Sequence, residues 1–422
     1  MFYPVLRDPA PAQIQQIGHA DLVIGIATDH EKPAIVAGVA RQAIAGAQTH
    51  FPHLRTVLLN ADTGLKETVR RAVAGVATPD VPVVTARYTG IKGRGSAVCA
   101  LLDAALRLDP QAILLLDAAT ESITPTWIPG LATLVLNRQA DLVKPRYHWP
   151  LPDGALSDLL FFPFARALWG ANLRHPAAPD FALSPALART VLEQDVWETE
   201  VSRFGLDIWL SIFAISRGWK VAQTALGEKK TRHSPRLRRP IPIFKEAVGA
   251  MLRQVHLSQK SWLAPSPRVS IPTLTEFAPP SRAEPIPAND CHDYIEKLAL
   301  GWMAHRALWK RIMLPETLAA VEYLASHPPD RFYFPPNLWA KIAYDFAVVY
   351  NKGERDPDAI AASLYPLYLG RLAAFWSEVA GLTPVGRAGT VAAQAVEFEE
   401  LVPYLQYRWE TYLPWVDSGE VR

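Results

Sequence analysis

The amino-terminal part of the chain alternates between short apolar runs and longer amphipathic stretches. Short runs of this kind are typical of strands buried on both faces of a parallel sheet, and the amphipathic stretches have helical spacing. Runs before position 120 cover residues 21–27, 54–60, 81–86 and 112–116, and each is followed by a predicted helix. This alternation predicts an α/β fold with a doubly wound, mostly parallel sheet.

The pattern changes after the fourth run. Residues 141–147 and 220–226 predict two further strands, and residues 198–213 and 244–263 predict helices. Residues 176–184 are rich in proline and predict a turn.

The carboxyl-terminal region has helical spacing throughout and is dense in tryptophan and tyrosine. Before it, residues 264–290 contain many prolines and no clear periodicity, which is typical of a linker. We therefore predict a catalytic domain at 1–263, a proline-rich linker at 264–290 and a helical domain at 291–422. The aromatic stripes indicate core packing. The helices either cover the sheet or form the surface of a homodimer.

Polar residues end the second and fourth apolar runs. Asp117 directly follows residues 112–116, and Asn60 and Asp62 stand at the end of the second run. Open α/β sheets bind ligands in the crevice beyond the carboxyl ends of their strands. We therefore expect Asp117 and Asp62 at a ligand site. The alternative is that Asp117 only caps a turn.

A glycine-rich, basic turn precedes the helix predicted from residue 96. Gly90, Gly93 and Gly95 permit close backbone approach, and Lys92 and Arg94 add positive charge. A helix amino terminus after such a turn suits an anion. The turn matches neither the Walker A pattern nor GxGxxG, so it is a weak phosphate signal, and a flexible basic turn is the alternative.

Two further residues are candidates for chemistry. Asp207 stands on a strongly apolar helix, where a carboxylate is costly to bury unless it is paired. It is a candidate for substrate binding or catalysis, or else a helix cap, because Gly205 precedes it. His233 lies in the basic loop 228–242, whose cations favour an anionic partner, although lone loop histidines are usually solvated.

Composition excludes several classes of protein. The 422 residues carry a net charge of +2, which argues against general nucleic-acid binding. Only Cys99 and Cys291 are present, so a disulfide framework or a zinc site is not expected. Neither a signal peptide nor a membrane-spanning run is apparent, which predicts a cytoplasmic protein.

Several stretches, in this order, resemble the mannosylglycerate synthase-like and glucosylglycerate synthase-like glycosyltransferases. The stretches are LVIGIATDHE (22–31), VLLNADTG (57–64), GIKGRGSAVCALLDAA (90–105), ILLLDAATESITPTWI (113–128), DFALSPALA (180–188), VWETEVSRFGLDIWLS (196–211), LYPLYLGR (364–371) and VPYLQYRW (402–409). The resemblance implies a GT-A fold that binds a nucleotide-diphosphate sugar, followed by a helical region. It also implies a divalent metal, Mg²⁺ or Mn²⁺.

The resemblance assigns roles to particular residues. Five would bind the nucleotide sugar: Ala27, Thr28, Asp62, Lys92 and Asp117. Asp117 and His233 would hold the metal. Asp180 and Asp207 would act in catalysis by orienting acceptor hydroxyls or the donor sugar.

Lys144 and Arg146 stand within the strand predicted at 141–147 and are candidates for holding an acidic acceptor such as a glycerate. A surface salt bridge is the alternative for both.

The chain departs from the family pattern at three places. One is the acidic, glycine-rich turn after the second strand, which is reduced to Asn60-Ala61-Asp62-Thr63-Gly64. The second position of the family's DxD segment is Ala119, and Ala178-Pro179 replaces the family's glycine pair before Asp180. Fixed cations can stabilise a leaving diphosphate in place of a metal. We therefore hypothesise that binding depends less on metal than in the relatives, with cations drawn from Lys92, Arg94, Arg232 and Arg236.

Two functions remain open after these observations. The first is a retaining glycosyltransferase that transfers a hexose from a nucleotide-diphosphate sugar to a small polar, glycerate-like acceptor. The second is a catalytically impaired homologue that acts as a binding or scaffold protein, which the altered DxD segment favours. A sugar-nucleotide pyrophosphorylase ranks low, because ATDHEKP (27–33) lacks the glycine-rich loop that it needs.

Overall fold

The fold is taken from a computed structural model, which describes residues 3–149, 153–231, 240–264, 269–274, 288–326 and 332–413. The chain forms two compact units. The first contains the described residues within 1–150, 172–250 and 269–278, and the second those within 151–171, 251–268 and 279–422. The predicted domain boundaries at 263 and 290 stay a prediction.

The described residues of the first unit form a seven-stranded sheet in the order β3-β2-β1-β4-β6-β5-β7. Strand β6 runs antiparallel to its neighbours β4 and β5, and the other pairings are parallel. The strands are β1 (Leu22–Thr28), β2 (Thr56–Asp62), β3 (Val83–Arg87), β4 (Ala112–Asp117), β5 (Leu142–His148), β6 (Phe181–Leu183) and β7 (Val221–Glu228). The predicted α/β class with a doubly wound, mostly parallel sheet is confirmed.

Helices cover the sheet of the first unit on both faces. Apolar side chains of β1, β2 and β4 are almost fully buried, which explains why these strands appear as unbroken apolar runs. The helices are α1 (Ala10–Ile17), α2 (Pro33–His50), α3 (Thr68–Ala74), α4 (Arg94–Leu106), α5 (Trp127–Leu136), α7 (Pro185–Leu192), α8 (Leu206–Ser216) and most of α9 (Pro240–Leu257).

Three local predictions need correction. The proline-rich turn at 176–184 contains β6, which is too short to give a periodic signal. The helix predicted over 198–213 begins only at Leu206, after a 3₁₀ turn at Glu200–Ser202. The helix predicted over 244–263 is two helices, because the chain breaks at Ser258.

The second unit is helical, as the apolar spacing predicted. A π-helical turn at Ser157–Phe161 leads into α6 (Phe162–Trp169). The other helices are α10 (Gln259–Leu263), α11 (Ala288–Ile312), α12 (Pro315–Ser326), α13 (Pro336–Lys352), α14 (Pro357–Ser363), α15 (Tyr365–Val379), α16 (Pro384–Glu400) and α17 (Val402–Thr411).

The core of this second unit is aromatic. Trp309, Trp339, Trp376 and Phe375 are among its fully buried side chains. The aromatic stripes of the sequence therefore do pack in a core, as expected. Within the described ranges, no helix has the length and apolar character needed to cross a bilayer. Both cysteines are free thiols.

Candidate functional site

A cleft opens at the carboxyl edge of the parallel strands, where β1 and β4 lie side by side. The chain moves outward from β1 through β2 to β3 on one side, and then returns to place β4 on the other side. Sheets of this kind bind ligands at such a reversal point. The cleft is lined by Ala27, Thr28, Asp29, Glu31, Thr63, Gly93, Arg94, Ala97, Asp117, Pro179 and Phe204.

Asp117 ends β4 and reaches the cleft with a carboxylate that is 20% exposed. Its Oδ1 accepts a hydrogen bond from the Ala119 amide at 3.2 Å, so the predicted turn cap is also present. Its Oδ2 lies 3.1 Å from the Nζ of Lys229. The functional and capping alternatives for Asp117 are thus compatible.

Lys229 directly follows β7 and is almost completely buried. Its ammonium also donates to Asp180 Oδ2, so one cation contacts the carboxylates of both Asp117 and Asp180. Asp180 Oδ1 accepts from the Asp117 amide at 2.8 Å. These contacts tie three strands together at the edge of the cleft.

Tyr147 on β5 completes this buried polar group. Its hydroxyl donates to Asp180 Oδ2, and its ring lies 5.0 Å from the Lys229 ammonium. Burial raises the pKa of the Tyr147 hydroxyl well above its usual value, and the nearby Asp180 raises it further. Tyr147 therefore stays protonated and remains a donor to Asp180 at neutral pH.

The loop after β4 is hydrogen-bonded to the chain after β7. Thr120 forms a bridge with Thr231, and the Glu121 amide donates to the Lys230 carbonyl at 2.9 Å. The Lys230 amide donates to Ser122 Oγ at 2.9 Å. The tip of the fourth strand and the start of the basic loop therefore lie against each other.

Arg94, the first residue of α4, is paired with Asp207 at the cleft. Its Nε and Nη2 lie 2.9 Å and 3.2 Å from the two carboxylate oxygens of Asp207, and Nη2 also donates to the Pro179 carbonyl. Burial alone would lower the pKa of Arg94, but the Asp207 carboxylate more than compensates and raises it. Asp207 is buried in the first turn of α8 and pairs with Arg94 instead of capping that helix.

Two glycines at the start of α4 are required by a close approach of the chain itself. A Cβ at Gly95 would lie 1.8 Å from the Val201 carbonyl oxygen, and one at Gly93 would lie 2.6 Å from the Ser202 oxygen. The Gly95 amide donates to the Arg203 carbonyl at 2.9 Å, and the Gly93 amide donates to the Tyr88 hydroxyl at 3.0 Å. These two amides are thus already used inside the protein.

The loop after β1 brings two more carboxylates to the cleft. Asp29 accepts from Thr63 Oγ1 at 2.6 Å, and its amide donates to Glu31 Oε2 at 2.5 Å. Burial raises the pKa of Glu31 to about 7, and the negative charges of Asp117 and Asp29 also raise it. Glu31 is therefore partly protonated near neutral pH.

Asp62 lies behind the cleft and does not line it. Its Oδ1 accepts from Thr28 Oγ1 at 2.9 Å and from the Gly64 amide at 3.1 Å, while Oδ2 accepts from Arg70 at 2.6 Å. Its carboxylate is thus occupied by the protein and holds Thr28, which does line the cleft. Its role in binding the nucleotide sugar stays a prediction.

The remaining predicted residues lie in different surroundings. Lys144 is fully buried, and its ammonium donates to the Ala178 carbonyl at 2.6 Å. Arg146 and Lys92 are exposed and do not line the cleft. The roles predicted for these three residues remain untested.

His233, Arg232 and Arg236 lie outside the described residues. Within the described residues, no group of three or more histidine, cysteine, aspartate or glutamate side chains is arranged to hold a metal ion. The second position of the DxD segment, which would supply another carboxylate beside Asp117, is the apolar Ala119. The Asp117 carboxylate itself already contacts Lys229. The described donor set therefore does not fit a divalent metal by itself.

Sequence reasoning missed several residues of the site, among them Lys229, Glu31, Asp29 and Tyr147. Lys229 is one of two consecutive lysines in a stretch that appeared to be a solvated loop, and nothing in its neighbours signals burial. Glu31 enters the predictions only as the last residue of the stretch LVIGIATDHE (22–31). The position of Lys229 directly after an apolar strand indicates the ligand edge of the sheet but not burial.

The topology and the site define an α/β protein with a ligand cleft at the carboxyl edge of its sheet and buried ion pairs along that cleft. No protein-family model matches the chain, and no curated protein matches it significantly.

Among solved structures, the chain is similar to glucosyl-3-phosphoglycerate synthase from Mycobacterium tuberculosis in complex with Mn²⁺, UDP and glucosyl-3-phosphoglycerate. The identity is 20%, the TM-score is 0.43, and the match covers 57% of this chain and 83% of that one. The same enzyme with Mg²⁺ and UDP gives 18% identity and a TM-score of 0.43, with 57% and 83% covered.

A structure described only as a mycobacterial protein gives 20% identity and a TM-score of 0.43, with 60% of this chain and 82% of that chain covered. The named neighbour is a glycosyltransferase of the kind that the sequence resembles. At TM-scores below 0.5, the function of this chain has to be argued from its own cleft.

Proposed function

We propose that the protein is a retaining glycosyltransferase that transfers a hexose from a nucleotide-diphosphate sugar to a small polar acceptor, with a glycerate-like acid as the first candidate. The observation that carries this proposal is the meeting at the β1–β4 cleft of Asp117 and Arg94, whose buried partners are Lys229 and Asp207. Open α/β sheets bind their ligands, nucleotides among them, at such a reversal point, which supports the proposal.

The chemistry requires stabilisation of the departing diphosphate as negative charge develops on it. Preorganised cations in a site that excludes water supply such stabilisation without reorganisation. Arg94 lines the cleft, and its Nη1 makes no hydrogen bond within the described residues, so this nitrogen can donate to a phosphate oxygen. Asp207 fixes the plane of the guanidinium in this role.

Asp117 is the carboxylate placed to orient the donor. It is partly exposed in the cleft, whereas Asp180 is buried behind it and holds its backbone amide. We propose that Asp117 contacts the donor and that Asp180 positions Asp117. We assign no side chain as a nucleophile, because the retaining glycosyltransferases that the sequence resembles need no obvious enzyme nucleophile.

A divalent metal is implied by the resemblance, and the similar solved structures were obtained with Mn²⁺ or Mg²⁺. Asp117 and His233 remain the predicted ligands. Because the described residues do not fit a metal by themselves, the proposed function includes no metal-dependent step.

The proposal is tested by measuring nucleoside diphosphate released from UDP-glucose, GDP-glucose and GDP-mannose, with and without glycerate or 3-phosphoglycerate. We expect one donor to react in an acceptor-dependent way. Asp117→Asn should lower kcat/KM for that donor by at least about tenfold, which corresponds to about 1.4 kcal/mol. The matched control Asp80→Asn changes an exposed carboxylate outside the cleft and should leave the rate unchanged.

Two results would contradict the proposal. Binding of a nucleoside diphosphate without turnover of any donor would support the alternative, a catalytically impaired binding protein. If neither UDP nor GDP binds at all, the cleft is not a nucleotide site.

A further inference from the structure

We propose that the Lys229 ammonium takes the place of a divalent metal ion in the diphosphate site. It neutralises the Asp117–Asp180 pair in the position where a divalent ion would otherwise have to bind. This inference rests on the proposed function and deepens it. It assigns Lys229 as a positioning residue, because its ammonium acts on the donor through Asp117.

The geometry supports a fixed ammonium. Lys229 Nζ lies 3.1 Å from Asp117 Oδ2 and also contacts Asp180 Oδ2, and the Tyr147 ring lies 5.0 Å from it. The Lys229 amide donates to the His148 carbonyl at 2.9 Å, which fixes the backbone as well. The side chain is 1% exposed, so solvent cannot substitute for these contacts.

The charge balance explains why such a cation is needed. The carboxylates of Asp117 and Asp180 repel each other, and a cation in contact with both offsets this repulsion. An anionic diphosphate approaching Asp117 would meet further repulsion, because Asp29 and Glu31 line the same cleft. Arg94 cannot also neutralise the Asp117–Asp180 pair, because its guanidinium is held by Asp207.

The same position would suit a hard divalent cation if the lysine were absent. Mg²⁺ and Mn²⁺ favour carboxylate oxygens, and removal of the ammonium would leave two of these facing one space. Loss of the ammonium should therefore be compensated by a bound metal ion. The wild-type site should bind a nucleoside diphosphate without metal, and a variant without the ammonium should acquire a metal site.

The test uses Lys229→Met in the full chain, with UDP and GDP as probes in a titration calorimeter. Wild-type affinity for the diphosphate that binds should change by less than about twofold between Mn²⁺ and EDTA. Lys229→Met should bind it about tenfold more weakly in EDTA and should recover most of that loss in Mn²⁺.

A second readout needs no nucleotide. Free Mn²⁺ is followed by its electron paramagnetic resonance signal, and Lys229→Met should bind about one more Mn²⁺ per chain than the wild type. The matched control is Lys144→Met, which removes another fully buried ammonium, one that donates to the Ala178 carbonyl. This control should gain no Mn²⁺. Lys229→Arg keeps a cation at the site and should also gain none.

The possible outcomes distinguish a failure of the role of Lys229 from a failure of the proposed function. If EDTA abolishes diphosphate binding by the wild type, the role of Lys229 is wrong and the proposed function stands. If folded Lys229→Met gains no Mn²⁺, the inference also fails. If Lys229→Met does not fold, Lys229→Arg decides: metal-free binding supports the inference, and strict metal dependence overturns it. If neither UDP nor GDP binds, the proposed function fails, while the Mn²⁺ comparison still tests the lysine.

Discussion

At the scale of single residues, two ion-paired groups border the cleft. Arg94 is held by Asp207, and Lys229 is held by Asp117 and Asp180. Removing one member of a buried pair leaves an uncompensated charge, which typically costs about 3–5 kcal/mol. Such pairs fix side-chain geometry more firmly than they raise stability, and a site that must receive a diphosphate needs that fixed geometry.

Glu31 gives a pH-dependent prediction at this scale. Its folded pKa of about 7 lies above its ordinary value of 4.5, mainly because of burial. Its contribution to stability is therefore complete below about pH 4.5 and is lost as the pH rises through about 7, a loss on the order of 3 kcal/mol. Glu31→Gln should unfold at higher urea concentration than the wild type at pH 8, and the two should converge near pH 5.

The control for this prediction is Glu67→Gln, which changes an exposed carboxylate paired with Arg71. Its effect should stay within about 0.5 kcal/mol at both pH values. Equal pH profiles for the wild type and Glu31→Gln would show that Glu31 is not buried in its uncharged form.

At the scale of elements, the site is held by close contacts between chain segments that are distant in sequence. The loop after β4 bonds to the chain after β7, and the first turn of α4 packs against the 3₁₀ turn at Glu200–Ser202. The second contact places Arg94 beside Asp207. The glycines at the start of α4 make it possible, because a side chain there would meet a carbonyl oxygen.

Gly95→Ala tests that contact. Its Cβ would lie 1.8 Å from the Val201 oxygen, so the turn has to move, and we expect destabilisation of about 1–3 kcal/mol or more together with weaker diphosphate binding. Gly38→Ala is the matched control: it lies in α2 with nothing within 4 Å of the added Cβ. It should raise stability by up to about 1 kcal/mol in urea unfolding. A tolerated Gly95→Ala would show that α4 is not pressed against this turn.

At the scale of the whole molecule, the cleft follows from the sheet order. Ala27 pairs with Asp117 across β1 and β4, and Thr28 pairs with Asp62 across β1 and β2. The ends of three strands therefore meet at one edge, although they are far apart along the chain. Dimerisation through the helical region stays a prediction, which sedimentation of the full chain would test.

Ligand binding should stabilise the first unit at this edge. A ligand that binds only the native state adds about 2.7 kcal/mol to stability at a hundred times its Kd. We therefore expect saturating UDP or GDP to slow amide hydrogen exchange in peptides covering 22–31, 94–106 and 112–122. Measurable binding without slower exchange in these peptides would place the nucleotide elsewhere.

The sequence determined the elements with continuous apolar signals. Strands β1, β2 and β4 are buried on both faces, so each gave an unbroken run that needs no tertiary information to recognise. The helical second unit followed from apolar periodicity in the same way. The sequence also marked Asp117, because a carboxylate that ends such a run lies at the ligand edge of the sheet.

Only the tertiary structure decided which charges meet. Lys229 carries no local sign of burial, and its two carboxylate partners lie 49 or more positions away. β6 is three residues long and exists because β4 and β5 pair with it, and the glycines at 93 and 95 are explained by a turn about a hundred residues later. Local patterns report burial and periodicity along the chain, whereas ion pairs depend on the distances between segments that folding brings together.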